Sequence, residues 1–237
     1  MELNTVINVW FHGGGYVCVW SFGVAEAFKA ANIRFNFVGG YSSGSAIAIF
    51  LLGSNDVESC YKSIIESPYG PLKGRFKLMG KHHINLKYVI ESFLGEPAEF
   101  KPEKYNKKLW IPIQPLKISK GAWRNNYRDY DDIIDTSISS QCVPVFSHGE
   151  FTKCYYDDFK NERGPTIDGG IFSTTFPKCW DEQKTIVVSP WGNGDIVMSP
   201  RAKISDICFP RFDDIKKYRM LGQQQAIEYI KKQRENQ

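Results

Sequence analysis

The sequence predicts an α/β fold: a mostly parallel central sheet covered by helices. Three observations predict it. The order strand, glycine turn, helix occurs twice within the first 52 residues. Apolar strand segments are spread from residue 6 to residue 189 without a convincing boundary or an internal repeat between them. The 237 residues are 42% hydrophobic and 14% aromatic, enough to fill a core and to exclude wholesale disorder.

The elements follow in order. Val6 to Phe11 ("VINVWF") reads as a short buried strand, closed by His12-Gly13-Gly14-Gly15. A helix is expected from Ser21 to Ala31, a second strand from Phe35 to Val38, and a second helix from Ser43 to Leu52. Asp56 to Glu66 places Val57, Cys60, Tyr61, Ile64 and Ile65 at helical spacing, and Asn85 to Leu94 repeats that pattern with Asn85 as N-cap and Gly95 past the end. Trp110 to Leu116 is a strand, Asp131 to Ser140 a helix, and Thr185 to Ser189 ("TIVVS") a buried strand. Phe212 to Lys232 is one terminal amphipathic helix with Ile215, Tyr218, Ala226, Ile227 and Ile230 facing inward. The expected arrangement is a single domain over 1–237, with its motifs in about 6–200 and the terminal helix in about 212–232.

Composition excludes several function classes. A formal charge of +4 is far from that of a dedicated nucleic-acid binder, so no nucleic-acid partner is expected. No apolar run approaches the roughly 20 residues of a membrane-spanning helix. The N-terminus, "MELNTVINVWFHGGG", lacks a basic lead-in and carries Glu2, unlike a secretory signal. The six cysteines show no C-x-x-C spacing, and the nearest histidine is His148, before Cys154. They read as six reduced thiols in an intracellular protein, with no metal site.

Gly40-Tyr41-Ser42-Ser43-Gly44 fits G-x-S-x-G between a strand and a helix. Such a serine sits on a sharp turn, with glycines on both sides clearing room for it and its hydroxyl at a helix N-terminus that favours negative charge. The same pattern also serves as a tight turn that lets a helix pack on a sheet. Gly13-Gly14-Gly15 leaves backbone amides able to point into one cavity, as an oxyanion hole, a phosphate loop or a plain turn. A phosphate loop requires Gly-Lys-Ser/Thr after the glycines, and "GGGYVCVW" has none. A dinucleotide fingerprint requires glycine where Cys18 stands. Asp168-Gly169-Gly170 follows a short apolar stretch, as an acid presented to a neighbouring loop or as a hairpin turn.

"HGGG" resembles the oxyanion motif of α/β-hydrolases, but that fold places its histidine after the serine and the acid. No histidine follows Asp168, and His12 precedes Ser42 by only 30 residues. A serine–aspartate dyad without histidine accounts for the residues better. A soluble esterase using His148 is the rival.

Taken together, "WFHGGGYVCVWSFGVAEAF", "GGYSSGSAIA" and "TIDGGIF" resemble the patatin-like phospholipases, most closely the branch containing adipose triglyceride lipase and adiponutrin. "SISSQCVPVF" and "VVSPWGNGDI" add support, and order and spacing agree over roughly residues 6–200. The resemblance implies a patatin-like three-layer sandwich and a lipid acyl hydrolase acting on phospholipids or acylglycerols. It implies Ser42 as nucleophile, Asp168 as base, and amides of Gly13, Gly14, Gly15 and Tyr16 as the oxyanion hole, with no cofactor and no metal. Asp168 would then need a dry site, because a free aspartate titrates near pH 3.9 and is a poor base for a hydroxyl. It further implies an intracellular, cytosolic protein that meets a membrane or lipid-droplet surface. Pro68 to Lys87, basic and apolar by turns, is the expected contact segment. The chain reads as a bare catalytic domain. Two positions depart from the common family pattern: Val17 replaces a basic residue and Cys18 replaces a glycine. Cys18 raises the alternative of a weakened hydrolase retained as a lipid- or membrane-binding module.

Overall fold

The computed structural model describes residues 7–54, 56–68, 81–115, 122–143, 155–157, 163–171, 175–208 and 211–235. The sheet is built from β1 (Ile7–Phe11), β2 (Phe35–Gly40), β3 (Leu109–Pro115), β4 (Ala122–Arg124), β5 (Tyr155–Asp157), β6 (Arg163–Ile167), β7 (Thr185–Ser189) and β8 (Ile196–Val197). Its order is β5-β6-β3-β2-β1-β7-β8, with β4 also paired to β3. The run β3-β2-β1-β7-β8 is parallel, and β4, β5 and β6 join by antiparallel pairing. This is a mixed α/β architecture with a mostly parallel central sheet flanked by helices.

The helices are α1 (Cys18–Ala30), α2 (Ser43–Leu52), α3 (Val57–Glu66), α4 (His82–Leu94), α5 (Tyr130–Ser140), α6 (Ile204–Cys208) and α7 (Phe212–Glu235). Side chains alternate along β1, so Val9 and Phe11 face the helices while Trp10 faces the other way. Val9, Phe11, Val38, Leu109, Ile111 and Val188 form the floor of the main core. Above it Phe22 stacks on Phe50 with centroids 4.2 Å apart, and Phe93 lies 5.3 Å from Phe50. Each of these fully buried rings contributes about 1.5–3 kcal/mol. On the opposite face Trp10 meets Trp123 and Trp180 edge-on, at 5.5 and 5.8 Å.

α7 closes the helical side by crossing α1 at backbone contact. A Cβ on Gly23 would lie 2.1 Å from the Arg219 carbonyl, and one on Gly222 would lie 2.0 Å from that of Trp20. Across the seam the Arg219 guanidinium bonds Glu26 at 2.6 and 2.8 Å, also pairs with Glu58, and lies 3.9 Å over the Tyr61 ring. The Trp20 indole N–H donates to Gln225 at 2.7 Å.

Several expectations need correction. Asn85 does not cap a helix: α4 begins at His82, and Asn85 is buried inside it, donating to the Tyr16 phenol at 3.2 Å. Packing around Tyr16 overrides the local preference of asparagine for a cap. Ile227 is 45% exposed, because α7 seats the narrow row Ile215, Gly222, Ala226 and Ile230 and turns the neighbouring position outward. Cys142 is disulfide-bonded rather than reduced, a pairing made by proximity in the fold that sequence spacing does not reveal. Among the described residues Cys18, Cys60 and Cys179 are free thiols. Residues 69–80 of the expected contact segment, and His148, lie outside the described residues. Among the described residues, no helix is long and apolar enough to cross a membrane.

Candidate active site

β1 has β2 on one side and β7 on the other, so the strand order grows outward in one direction through β2 and β3 and in the opposite direction through β7 and β8. Open parallel sheets form a crevice at such a point, beyond the carboxyl ends of the strands. Three loops meet there: His12–Gly15 after β1, Tyr41–Ser42 after β2, and Pro190–Gly192 after β7.

Ser42 adopts φ 50° and ψ −136°, a left-handed conformation costing a non-glycine residue about 1–3 kcal/mol. The flanking glycines are required by contact. A Cβ at Gly40 would lie 2.6 Å from the Phe11 carbonyl oxygen, and one at Gly44 only 2.3 Å from it. The end of β1 therefore leaves room at these two positions for hydrogen alone. The turn is held from α5. Ser42 N–H donates to Ser140 Oγ at 3.2 Å, and Ser42 C=O accepts from Ser45 Oγ at 2.7 Å. Ser45 in turn shares a hydrogen bond with Ser137 at 2.8 Å, and Gln141 donates to Ser137 at 3.1 Å.

The glycine loop runs beside the serine, where a Cβ on Gly13 would come 2.6 Å from Ser42 Cβ. Gly14 N–H donates to Ser43 Oγ at 2.9 Å, and the Gly13 backbone hydrogen-bonds the Tyr41 phenol. The Gly13 carbonyl accepts from the Trp191 indole at 2.7 Å. Gly15 takes φ +55°, with α6 so close that a Cβ there would lie 2.2 Å from the Ile207 carbonyl oxygen. Cys18 needs no such freedom: its φ of −54° and ψ of −19° are right-handed helical. Its thiol hydrogen-bonds Ser43 and is pushed up to about 12 by burial.

Asp168 follows β6 and is 7% exposed. Its carboxylate accepts from Gly170 N–H at 2.8 Å and interacts with the Ser42 hydroxyl. Burial pushes the carboxyl above its ordinary value, and those two hydrogen bonds work against the rise. The neighbouring Tyr41 phenol is pushed up to about 12 by burial and then by the Asp168 charge, so it stays neutral. The His12 ring lies tilted against Tyr41 with centroids 5.3 Å apart, and burial lowers it to about 4, which leaves it uncharged at neutral pH.

Thus Ser42, Asp168 and Gly13–Tyr16 line one cavity of about 390 Å³. A smaller apolar pocket of about 40 Å³ adjoins it between α2, α3 and α4, and Tyr16, Ser43, His82 and Gln141 border both. Among the described residues no group of three or more His, Cys, Asp or Glu side chains is disposed to hold a metal ion. Ser45, Ser137, Ser140 and Trp191 are the contributors that spacing did not single out. Ser45 lies inside the quoted "GGYSSGSAIA" motif, and Ser137, Ser140 and Trp191 in the two supporting segments, but the resemblance gave none of them a role.

A family model described as Patatin-like phospholipase matches residues 9–177. The chain belongs to the patatin-like phospholipase family. The matched span runs from the glycine loop through Ser42 to Asp168 and beyond. No curated protein matches the sequence. Among solved structures, the chain is similar to VipD from Legionella pneumophila at 14% identity and a TM-score of 0.39, covering 77% of this chain. It spans 50% of the VipD chain.

Proposed function

We propose that this patatin-like chain is a serine acyl hydrolase that cleaves lipid esters with Ser42 as nucleophile and Asp168 as base. The observation that carries this reading is the buried Asp168 carboxyl, raised in proton affinity, beside a serine held at φ 50°. A carboxylate so placed can take a hydroxyl proton that an ordinary aspartate would leave in place.

In the proposed sequence, Ser42 Oγ attacks the ester carbonyl carbon as its proton passes to Asp168. The negative charge on the carbonyl oxygen is met by amides of Gly13 to Tyr16. Gly13 and Gly14 already hydrogen-bond neutral hydroxyls, those of Tyr41 and Ser43. An oxyanion outcompetes these, since hydrogen bonds to a charged acceptor are roughly twice as strong. Collapse breaks the ester C–O bond, and Asp168 returns its proton to the departing alcohol. Water then gives a proton to Asp168 and its hydroxide to the acyl carbon; the acyl C–Oγ bond breaks, Asp168 passes that proton to Ser42 Oγ, and a fatty acid is released.

The adjoining apolar pocket of about 40 Å³ has room for only a short apolar group, and suits one better than a polar group. Val143 and Trp191 line the main cavity and are 44% and 38% exposed, which suits a mouth that opens onto a lipid surface. The membrane or lipid droplet is accordingly the proposed partner. The triglyceride-lipase branch is the proposed affiliation, on the strength of Val17. Cys18 has a right-handed helical backbone that does not call for glycine, which counts against the weakened-module alternative.

The test is hydrolysis of a phospholipid and a triacylglycerol by wild type, Ser42→Ala and Asp168→Asn. Each variant is expected to lose about 10²- to 10⁴-fold in kcat. A wild type no faster than Ser42→Ala on every lipid would overturn the reading.

A further inference from the structure

We propose that Trp191 is a positioning residue that locks the Gly13–Gly14 peptide with its N–H toward the nucleophile, an inference that rests on the hydrolase reading above. The peptide unit is gripped at both ends. Its carbonyl accepts from the Trp191 indole at 2.7 Å, and its N–H donates to Ser43 Oγ at 2.9 Å.

Glycine on both sides of this peptide removes the side chains that would resist rotation of its plane. A half-turn would aim the Gly13 carbonyl at the space where ester oxygen gains charge, replacing a donor with an acceptor. The Ser43 contact alone is a weak guard, because that N–H must leave Ser43 to serve an oxyanion. The Trp191 contact persists through the reaction, since it lies on the far side of the peptide.

Two further observations assign the indole to this task rather than to packing. Trp191 is 38% exposed and belongs to neither buried apolar cluster, whereas Trp10, Trp20 and Trp180 are buried. It is also held in place by its own backbone: its N–H donates to Ser189 Oγ at 3.2 Å. Pro190 before it abuts the loop, 3.2 Å from where a Gly14 Cβ would stand. The end of β7 thereby delivers a donor to the Gly13 carbonyl.

The experiment compares wild type, Trp191→Phe and Trp191→His on p-nitrophenyl butyrate, with inhibition by an alkyl trifluoromethyl ketone, whose serine adduct carries an oxyanion. Trp191→Phe keeps an aromatic ring and removes the N–H. We expect kcat to fall about tenfold with KM within about twofold. Ketone affinity should fall by the same factor, and melting temperature should hold. Trp191→His, which retains a ring donor, should recover part of both losses. Trp191→Phe equal to wild type in kcat and ketone affinity overturns the proposal. So does a loss confined to KM, or one matched by a lower melting temperature. Failure of the underlying reading is distinguishable: there, wild type and Ser42→Ala are equally inert toward both ester and ketone.

Discussion

Asp168 must be buried and ionised at once, and the two demands conflict. Its folded-state proton affinity is raised by desolvation, so at low pH both folded and unfolded chains hold the proton and the group costs nothing. As pH rises, the unfolded chain releases its proton first, and stability falls until the folded carboxyl has also ionised. At neutral pH the charged base is therefore a burden on the fold. Asp168→Asn removes the charge and keeps an oxygen for Gly170 N–H, so it should raise the melting temperature at pH 7 while lowering kcat about 10²- to 10⁴-fold. The gain should vanish at about pH 3, where the wild-type carboxyl is protonated in both states. A lower melting temperature at pH 7 would refute this. For the wild type, log kcat/KM should fall on the acid side through an apparent pKa above the ordinary carboxylate value. At this scale much was legible beforehand: Ser42, Asp168 and the glycines were named because their chemistry demands particular residue types at particular spacings. The hydroxyls around them were not, since serine on a helix is common and only the fold shows which ones face Ser42.

α5 has no proposed chemical role, yet it supports the serine turn. Ser140 accepts from Ser42 N–H, and Ser137 and Gln141 reach Ser45, whose hydroxyl holds the Ser42 carbonyl. Ser140→Ala should leave Ser42 N–H without that partner and loosen its left-handed turn. We expect kcat to drop roughly tenfold, as for loss of a hydrogen bond worth about 1 kcal/mol, with little change in melting temperature. The α1–α7 seam works the other way. Gly222→Ala drives a methyl to 2.0 Å from the Trp20 carbonyl and should cost about 1–3 kcal/mol or more in stability. Chemical denaturation checks this, and kcat per folded molecule should not change, because the seam lies away from Ser42. Periodicity found both helices, but it ranks positions by apolar side chain. It therefore placed Ile227 inward and passed over Gly222, where two backbones touch and the absence of a side chain is what matters.

The family match ends at residue 177, while the sheet does not. β7 pairs with β1 along Asn8 to Phe11, at the centre of the parallel run, and Trp191 and Ile207 beyond it line the cavity. α6 is tied to α7 by a hydrogen bond between Tyr218 and Asp206. We propose that everything to the end of α7 folds as one unit with the matched region. The "TIVVS" strand was legible from its apolar run, but its place beside β1 was not, since β7 reaches β1 across most of the chain. A chain ending at Pro177 would leave β1 paired to β2 alone, as an apolar edge strand and a template for aggregation. It should be insoluble or lack a cooperative thermal transition. A chain ending at Arg211 keeps the sheet but uncovers the surface that α7 buries through Ile215, Ala226 and Ile230. At about 1.5–3 kcal/mol for each large apolar side chain, the two isoleucines alone come to about 3–6 kcal/mol, which reaches the lower end of a typical domain's stability of about 5–15 kcal/mol. Circular dichroism melts on both truncations decide the matter. A cooperative, soluble fold ending at Pro177 would show the C-terminal quarter to be an accessory, and the cavity wall it supplies would then need another explanation.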